Sequence, residues 1–80
     1  MKNIITIEYC TGWGYLERAV ALAQSILDEQ KQKIYEVTLF PSSDGVFEVT
    51  LNEELIFSKK QLDRHAEENE IEEIIRTKLN

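Results

Sequence analysis

The hydrophobic pattern at the start of the chain predicts a strand, a helix and a second strand. Residues 4–9 are mostly β-branched or aromatic and alternate with period two, which is typical of a β-strand. Apolar residues on both of its faces predict a strand that is covered on two sides. Apolar positions then follow helical spacing from Leu16 to Leu27, and residues 34–40 alternate again. This strand–helix–strand order predicts two parallel strands joined by a right-handed crossover.

Two more strands and a last helix are predicted in the second half of the chain. Residues 46–51 and 54–58 alternate apolar with polar positions, and residues 52–53 fit a short hairpin connection between them. Residues 59–68 are polar and predict a loop. Residues 69–79 combine an apolar stripe with acids in the first turn and bases in the last, which is typical of a helix, although the helix could instead begin at Asp63. The whole order is βαβ, then ββ, then α, in one α/β domain over residues 1–80.

Composition narrows the classes of protein to which this chain could belong. The chain has 80 residues and a net charge of −6, which disfavours nucleic acid and anionic membranes as partners. No apolar run approaches the roughly 18 residues that span a bilayer, and the first residues lack the pattern of a signal peptide. A single cysteine cannot form the internal disulfides of a small secreted scaffold. We therefore expect a soluble cytoplasmic domain; composition leaves its oligomeric state open.

The single cysteine, Cys10, stands where open α/β sheets form their sites. It ends the first predicted strand and begins the turn Cys-Thr-Gly-Trp-Gly, in which Thr11 is a plausible N-cap of the helix. Free N–H groups and the helix dipole at such a turn stabilise a thiolate. A lone cysteine is also often a small buried hydrophobic residue without chemistry. Its position alone leaves the two interpretations equally open.

The segment from Ile7 to Tyr15 resembles a known signature. Ile-Glu-Tyr-Cys-Thr-Gly-Trp-Gly-Tyr is similar to that of the selenoprotein W-like (Rdx) family, a branch of the thioredoxin-like redox proteins, and residues 45–49 and 55–60 extend the likeness. The resemblance implies a thioredoxin-like sheet of order 2-1-3-4 with two helices. It also implies a redox activity in which Cys10 is the attacking thiol, with protein thiols or glutathione as partners. We expect no bound cofactor, and no metal, because no set of Cys and His residues has zinc spacing.

One position departs from that signature. The family has a second cysteine or a selenocysteine where this chain has Trp13. An indole cannot attack the mixed disulfide formed by Cys10, so the chain as written has no internal dithiol cycle. Either the protein is a monothiol variant, or position 13 is natively selenocysteine, whose UGA codon is one base from the UGG of tryptophan. We favour the second explanation, because the rest of the motif fits and an exposed indole at such a turn has no obvious structural task.

The implied strand order also predicts which residues lie near Cys10. The link over residues 41–45 must cross the end of the first strand, and the fourth strand should bring Ser58 and Lys59 to the same edge. Lys59 could favour a thiolate or a glutathione carboxylate, although a solvated strand end is the more usual role. Pro41 could be a cis-proline of the thioredoxin kind; its position favours an ordinary turn proline.

The remaining polar residues offer little chemistry. His65 is alone in a polar segment and is predicted to be solvated, and the acids of residues 67–73 are predicted to be a solvated helix start rather than a calcium site. The alternative to redox chemistry is a binding module. In that case the turn that contains Cys10 and Trp13 would be a docking patch, since an exposed indole often anchors an interface.

Overall fold

The structure, a computed structural model, describes residues 2–80. Its elements in chain order are β1 (Asn3–Cys10), α1 (Tyr15–Gln30), a 3-10 turn (Lys31–Lys33), β2 (Ile34–Ser42), β3 (Phe47–Leu51), β4 (Glu54–Ser58), α2 (Lys59–Leu62) and α3 (Glu70–Leu79). The strands form one sheet of order β2-β1-β3-β4, in which β1 is parallel to β2 and antiparallel to β3. The predicted order 2-1-3-4 is confirmed. No helix among the described residues is long and apolar enough to cross a membrane.

Both long helices pack on the same face of the sheet. Ile5 and Ile7 of β1 are fully buried beneath them, and Arg76 of α3 forms an ion pair with Glu29 of α1. The other face is open, and there Ile4 is 38% exposed. The prediction that β1 is covered on two sides is therefore wrong. The link from β2 to β3 is a short turn rather than a helix, so no long helix among residues 2–80 covers the second face.

The helices differ from the prediction at two places. Helix α1 begins at Tyr15 with Gly14 as its N-cap, so the proposed cap at Thr11 is wrong. The segment after β4 is not all loop, because the Ser58 hydroxyl accepts the N–H of Gln61 at 3.1 Å and starts the short helix α2. Residues 2–80 thus contain three α-helices, two of them long, where two were expected.

The β3–β4 hairpin agrees with the prediction. Asn52 and Glu53 have φ values of 51° and 72°, the two positive values that a two-residue type I′ turn needs. Strand β2 is longer than predicted and includes Pro41, which the sequence had placed in a turn. Because β2 is an edge strand, a residue without an N–H can be tolerated on its outer side. The peptide bond before Pro41 is trans, as expected.

Candidate functional site

Cys10 ends β1, and it lies between the end of β2 and the last residue of the link from β2 to β3. Cys10 lies in register with Ser42 of β2, and its backbone N–H donates to the carbonyl of Val46 at 2.9 Å. The N–H of Thr11 donates to the carbonyl of Ser42 at 3.2 Å. The segment that follows β2 therefore passes beside the cysteine, as the strand order predicted.

The thiol of Cys10 combines burial with one polar contact. The residue is only 6% exposed and belongs to the hydrophobic core. Its Sγ accepts a hydrogen bond from the backbone N–H of Gly12 at 3.5 Å. Burial is what an inert cysteine would show, whereas an N–H directed at the sulfur stabilises negative charge on it. A disulfide that reacts with Cys10 must reach the sulfur past the turn of residues 11–14.

Trp13 is the most exposed large hydrophobic side chain at this end of the molecule. Its side chain is 86% exposed, and its φ of 54° is left-handed, as is that of Gly14 at 77°. Because the N-cap of α1 is Gly14, no N-cap side chain accepts a hydrogen bond from the first N–H groups of the helix. Exposed Leu16 and Val20 continue the apolar surface along α1. The indole therefore projects from the turn into solvent instead of filling a place in the core.

Tyr15, the first residue of α1, contacts two basic side chains from the segment that follows β4. The His65 ring packs edge-on against the buried Tyr15 ring, with centroids 5.1 Å apart, and the Lys59 Nζ lies 5.8 Å from the Tyr15 centroid. Burial, followed by the positive charges of Arg18 and Lys59, lowers the pKa of His65 below 6.5. His65 lies in a loop, as predicted, but it is only partly exposed, because the segment after α2 folds back onto Tyr15.

The predicted neighbours Ser58 and Lys59 reach this end of the sheet but have other partners. Lys59 faces the Tyr15 ring. Ser58 is buried, and its hydroxyl donates to the carboxylate of Glu48. Their role is therefore to pack around the turn and to cap α2, and the structure gives neither one a hydrogen bond to the Cys10 sulfur.

Two carboxylates on the open face were missed by the sequence reasoning. Glu8 and Glu48 stand opposite each other in the β1–β3 register, and the Ser42 hydroxyl donates to Glu8 at 2.8 Å. Period-two spacing could have found Glu8, since it precedes Cys10 by two positions on the same face of the strand. No group of three or more His, Cys, Asp or Glu side chains in the described part of the chain could hold a metal ion.

A cleft lies on the helix side of the site. Its volume is about 360 Å³, and it separates α1 from the segment that leads into α3. The lining includes Arg18, Leu22, Phe47, His65, Glu68 and Ile71. The floor is apolar, with one base and one imidazole on the side toward Tyr15 and acids on the side toward α3. A cleft of this size can take a small molecule or a short side chain.

A sheet of order β2-β1-β3-β4, with a cysteine at the carboxyl end of β1 and both long helices on one face, defines a thioredoxin-like α/β protein. Residues 4–77 match the sequence profile of the Rdx family, and the chain belongs to that family.

Two crystal structures are similar to this one. A selenoprotein W-related protein from Vibrio cholerae is 28% identical, with a TM-score of 0.91 and 100% of both chains covered. A protein from Bordetella parapertussis is 27% identical, with a TM-score of 0.89 over 96% of this chain and 98% of that one. No protein of curated function matches the chain significantly. The likeness to the two crystal structures supports the fold along the entire chain.

Proposed function

We propose that this Rdx-family protein is a thiol redox protein whose reactive group is Cys10. The observation that carries the proposal is the position of the sulfur, at the carboxyl end of a parallel strand with the Gly12 N–H directed at it at 3.5 Å. A thiolate is the form that attacks disulfides, and the Gly12 N–H is a backbone donor in hydrogen-bond contact with this sulfur. Membership of the Rdx family supports the same chemistry.

The reaction of this chain is a thiol–disulfide exchange with external partners. The Cys10 thiolate attacks one sulfur of a disulfide, the S–S bond breaks, and the other sulfur leaves as a thiolate that takes a proton from water. The product is a mixed disulfide on Cys10. Because Trp13 provides no second sulfur, a thiol from solution must attack the mixed disulfide to release Cys10. Protein thiols or glutathione in the cytoplasm are the proposed partners, and the exchange needs no bound cofactor.

The native residue at position 13 is a separate part of the proposal. The indole is 86% exposed, so a smaller residue at this place would leave no hole in the core. A selenocysteine or cysteine here would restore the pair that the family signature contains. The coding triplet and the intact mass of the protein from its native source decide the matter: UGA and a selenium-containing mass support selenocysteine, and UGG with a tryptophan mass contradicts it.

A non-catalytic docking function is the second candidate. It is favoured by the exposure of Trp13 together with Leu16 and Val20 next to it on α1. An exposed aromatic beside aliphatic side chains is a common anchor for a partner protein. In this case Cys10 would be a buried packing residue, and its replacement by serine would leave binding unchanged.

Three variants separate these functions. Cys10→Ser should lose the mixed disulfide that intact-mass measurement detects on the wild type after exposure to a small disulfide. Trp13→Cys should gain the ability to reduce a disulfide substrate catalytically in the presence of a reductant. Trp13→Ser is the matched control, since it removes the indole without adding a sulfur. If Trp13→Cys is folded and no more active than Trp13→Ser, the redox proposal fails and the docking candidate is favoured.

A further inference from the structure

We propose that this protein forms a symmetric dimer in which β2 pairs antiparallel with β2 of a second copy and α1 packs against α1 of that copy. The contact surface is the outer edge of β2 together with an apolar stripe on α1, and we call it the β2–α1 surface. The members of the stripe are Leu16, Val20, Ala23 and Leu27. The dimer does not depend on the chemistry of Cys10 and so goes beyond the proposed redox function.

The first support is the character of the sheet edge at β2. In the sheet formed by residues 2–80, β2 is an edge strand of nine residues, and Glu36 is its only charged residue. Edge strands that stay unpaired are usually short or carry charges. The opposite edge follows that rule, because β4 has five residues and begins at Glu54, which pairs with Lys78 of α3. A long apolar edge such as β2 is a template for another strand.

The second support is the direction of the backbone groups of β2. The Ser42 carbonyl points toward β1, since it accepts the Thr11 N–H at 3.2 Å. Backbone groups of successive strand residues point to opposite sides, so those of the odd-numbered residues point outward. These residues are Tyr35, Val37, Leu39 and Pro41. The first three can each donate and accept, so the outer edge offers a ladder that no strand within residues 2–80 uses.

Pro41 determines the register of the pair. It has no N–H, so a register that places it within the ladder loses hydrogen bonds. An antiparallel pair centred on Val37 sets Tyr35 opposite Leu39 of the second copy, forms about six backbone hydrogen bonds and leaves Pro41 beyond them. A pair centred on Thr38 would instead set Pro41 opposite Tyr35. The two-fold axis at Val37 is perpendicular to the sheet and keeps the helices of both copies on the same face.

The third support is the exposed stripe on α1. Leu16, Val20 and Leu27 are 49%, 48% and 44% exposed. Glu29 pairs with Arg76 of α3, so that side of α1 faces α3. The stripe lies roughly 150° around the helix from Glu29, at 100° per residue. Because α1 packs on β1 and β2 while α3 packs on β4, the stripe faces the outer edge of β2.

One two-fold axis satisfies both the strand pair and the helix pair. Strands lie about 4.8 Å apart, so two α1 helices, each above β1 and β2 of its own copy, would have axes about 10 Å apart. Packed helices have axes about 8–10 Å apart. Val37 is about 10 Å from the start of β2, and the same distance back along α1 from its last residue reaches Ala23. The smallest residue of the stripe is thus at the crossing, and Val20 faces Leu27 of the second copy.

Charge complementarity favours a second copy in this orientation. Lys31 and Lys33 precede β2, and the Lys2 Nζ lies 4.5 Å from the centroid of the Tyr35 ring near the same end. Asp44 follows the other end of β2. An antiparallel copy brings the lysine end of each β2 to the Asp44 end of the other, whereas a parallel copy would bring the lysines together.

The mass of the protein in solution tests the dimer. In sedimentation velocity, the wild type should shift from the chain mass of 9.3 kDa toward twice that mass as its concentration rises to about 0.5 mM. Val20→Lys/Leu27→Lys should raise the dissociation constant about a hundredfold or more, because four like charges would meet in the interface. Leu55→Lys/Leu62→Lys is the matched control and should change it less than about threefold. It adds the same charge at leucines that are 44% and 48% exposed outside the β2–α1 surface.

Two results would overturn the dimer. One is a wild type that remains at the chain mass at about 0.5 mM, which would leave the edge of β2 to a strand of another protein or to none. The other is a dimer that the control variant weakens as much as Val20→Lys/Leu27→Lys does. Circular dichroism shows whether each double variant is folded.

Amide hydrogen exchange tests the register without any variant. In the wild-type dimer at about 0.5 mM, the N–H groups of Val37 and Leu39 should exchange as slowly as those of Thr38 and Phe40, which point toward β1. In an edge strand without a partner, the N–H groups of Val37 and Leu39 would exchange much faster than the other two. That result would overturn the pairing of β2 with β2.

The dimer and the proposed redox function can fail separately. Cys10→Ser should dimerise as the wild type does. A monomeric wild type whose Cys10 forms mixed disulfides would overturn the dimer and leave the redox function standing. A dimeric wild type whose Cys10 is inert would support the dimer and contradict the redox function.

Discussion

The two ends of the sheet have turns of similar backbone shape that use their side chains in different ways. In the β3–β4 turn, Asn52 has φ 51° and its side chain accepts the Ile4 N–H at 2.7 Å and donates to Asn3 at 2.9 Å. In the β1–α1 turn, Trp13 has φ 54° and its side chain is 86% exposed. The first turn uses its side chain to join strands. The second turn leaves its side chain in solvent.

The largest expected effect is a loss of folding stability when the side chain of Asn52 in the β3–β4 turn is removed. Asn52→Ala removes the side-chain hydrogen bonds to Ile4 and Asn3 and leaves a residue with a Cβ at positive φ. We expect a loss of about 2 kcal/mol in the free energy of unfolding, measured by urea denaturation. Asn52→Gly, which relieves the backbone strain, should lose less. Equal losses in the two variants would show that the hydrogen bonds account for the whole effect.

Backbone strain alone should give a smaller effect in the β1–α1 turn. Gly14 has φ 77° and no heavy atom within 4 Å of the place of a Cβ, so Gly14→Ala should cost about 1 kcal/mol from conformation only. Gly12→Ala is the control, because a Cβ there makes an ordinary 3.9 Å contact with the Cys10 sulfur. A cost at Gly12 as large as that at Gly14 would contradict this explanation.

Removal of the indole should change stability least. Trp13→Ala keeps a Cβ at the same φ and removes a side chain that is 86% exposed, so the expected change is below about 0.5 kcal/mol in urea denaturation. A loss above about 1.5 kcal/mol would mean that the indole packs in solution, and the contrast between the turns would fail.

The free energy of unfolding should also depend weakly on pH through His65, which packs near the β1–α1 turn. The lowered pKa of His65 means that the unfolded chain binds a proton more readily than the folded one between the folded pKa and about 6.5. Stability from this residue is present above about pH 6.5 and is lost as pH falls toward the folded pKa. His65→Gln should flatten the stability curve in that interval, and an unchanged curve would contradict the assignment. Asn52 at the opposite turn carries no titrating group.

Local patterns were sufficient to predict the parts of the fold that local chemistry controls. The strands follow period-two alternation, and Asn52 occupies a turn position that tolerates positive φ. The strand order came from the family resemblance. The start of α1 was placed too early, at Thr11, because cap propensity does not reveal that residues 13 and 14 both adopt left-handed backbone.

The candidate site was predictable only in its sequence-local part. Cys10 and Trp13 were found because they share one turn with a recognisable motif. The packing of His65 against Tyr15 joins residues far apart in sequence, and a single polar histidine gives no signal of such a contact. The open second face of β1 was also missed, since Ile4 is apolar yet 38% exposed. Hydrophobicity alone does not tell which face a helix will cover.

The reactivity of Cys10 in the folded protein tests the central claim most directly. The rate of Cys10 alkylation by iodoacetamide at pH 7 is measured for the native protein and for the same protein unfolded in urea, with a small thiol as a reference for the effect of urea. We expect the native thiol to react at least as fast as the unfolded one, because the proposed exchange requires a Cys10 sulfur that reagents can reach past the turn of residues 11–14. A native thiol that is protected, and that reacts only from about pH 8.5 upward like a free cysteine, would contradict the redox function.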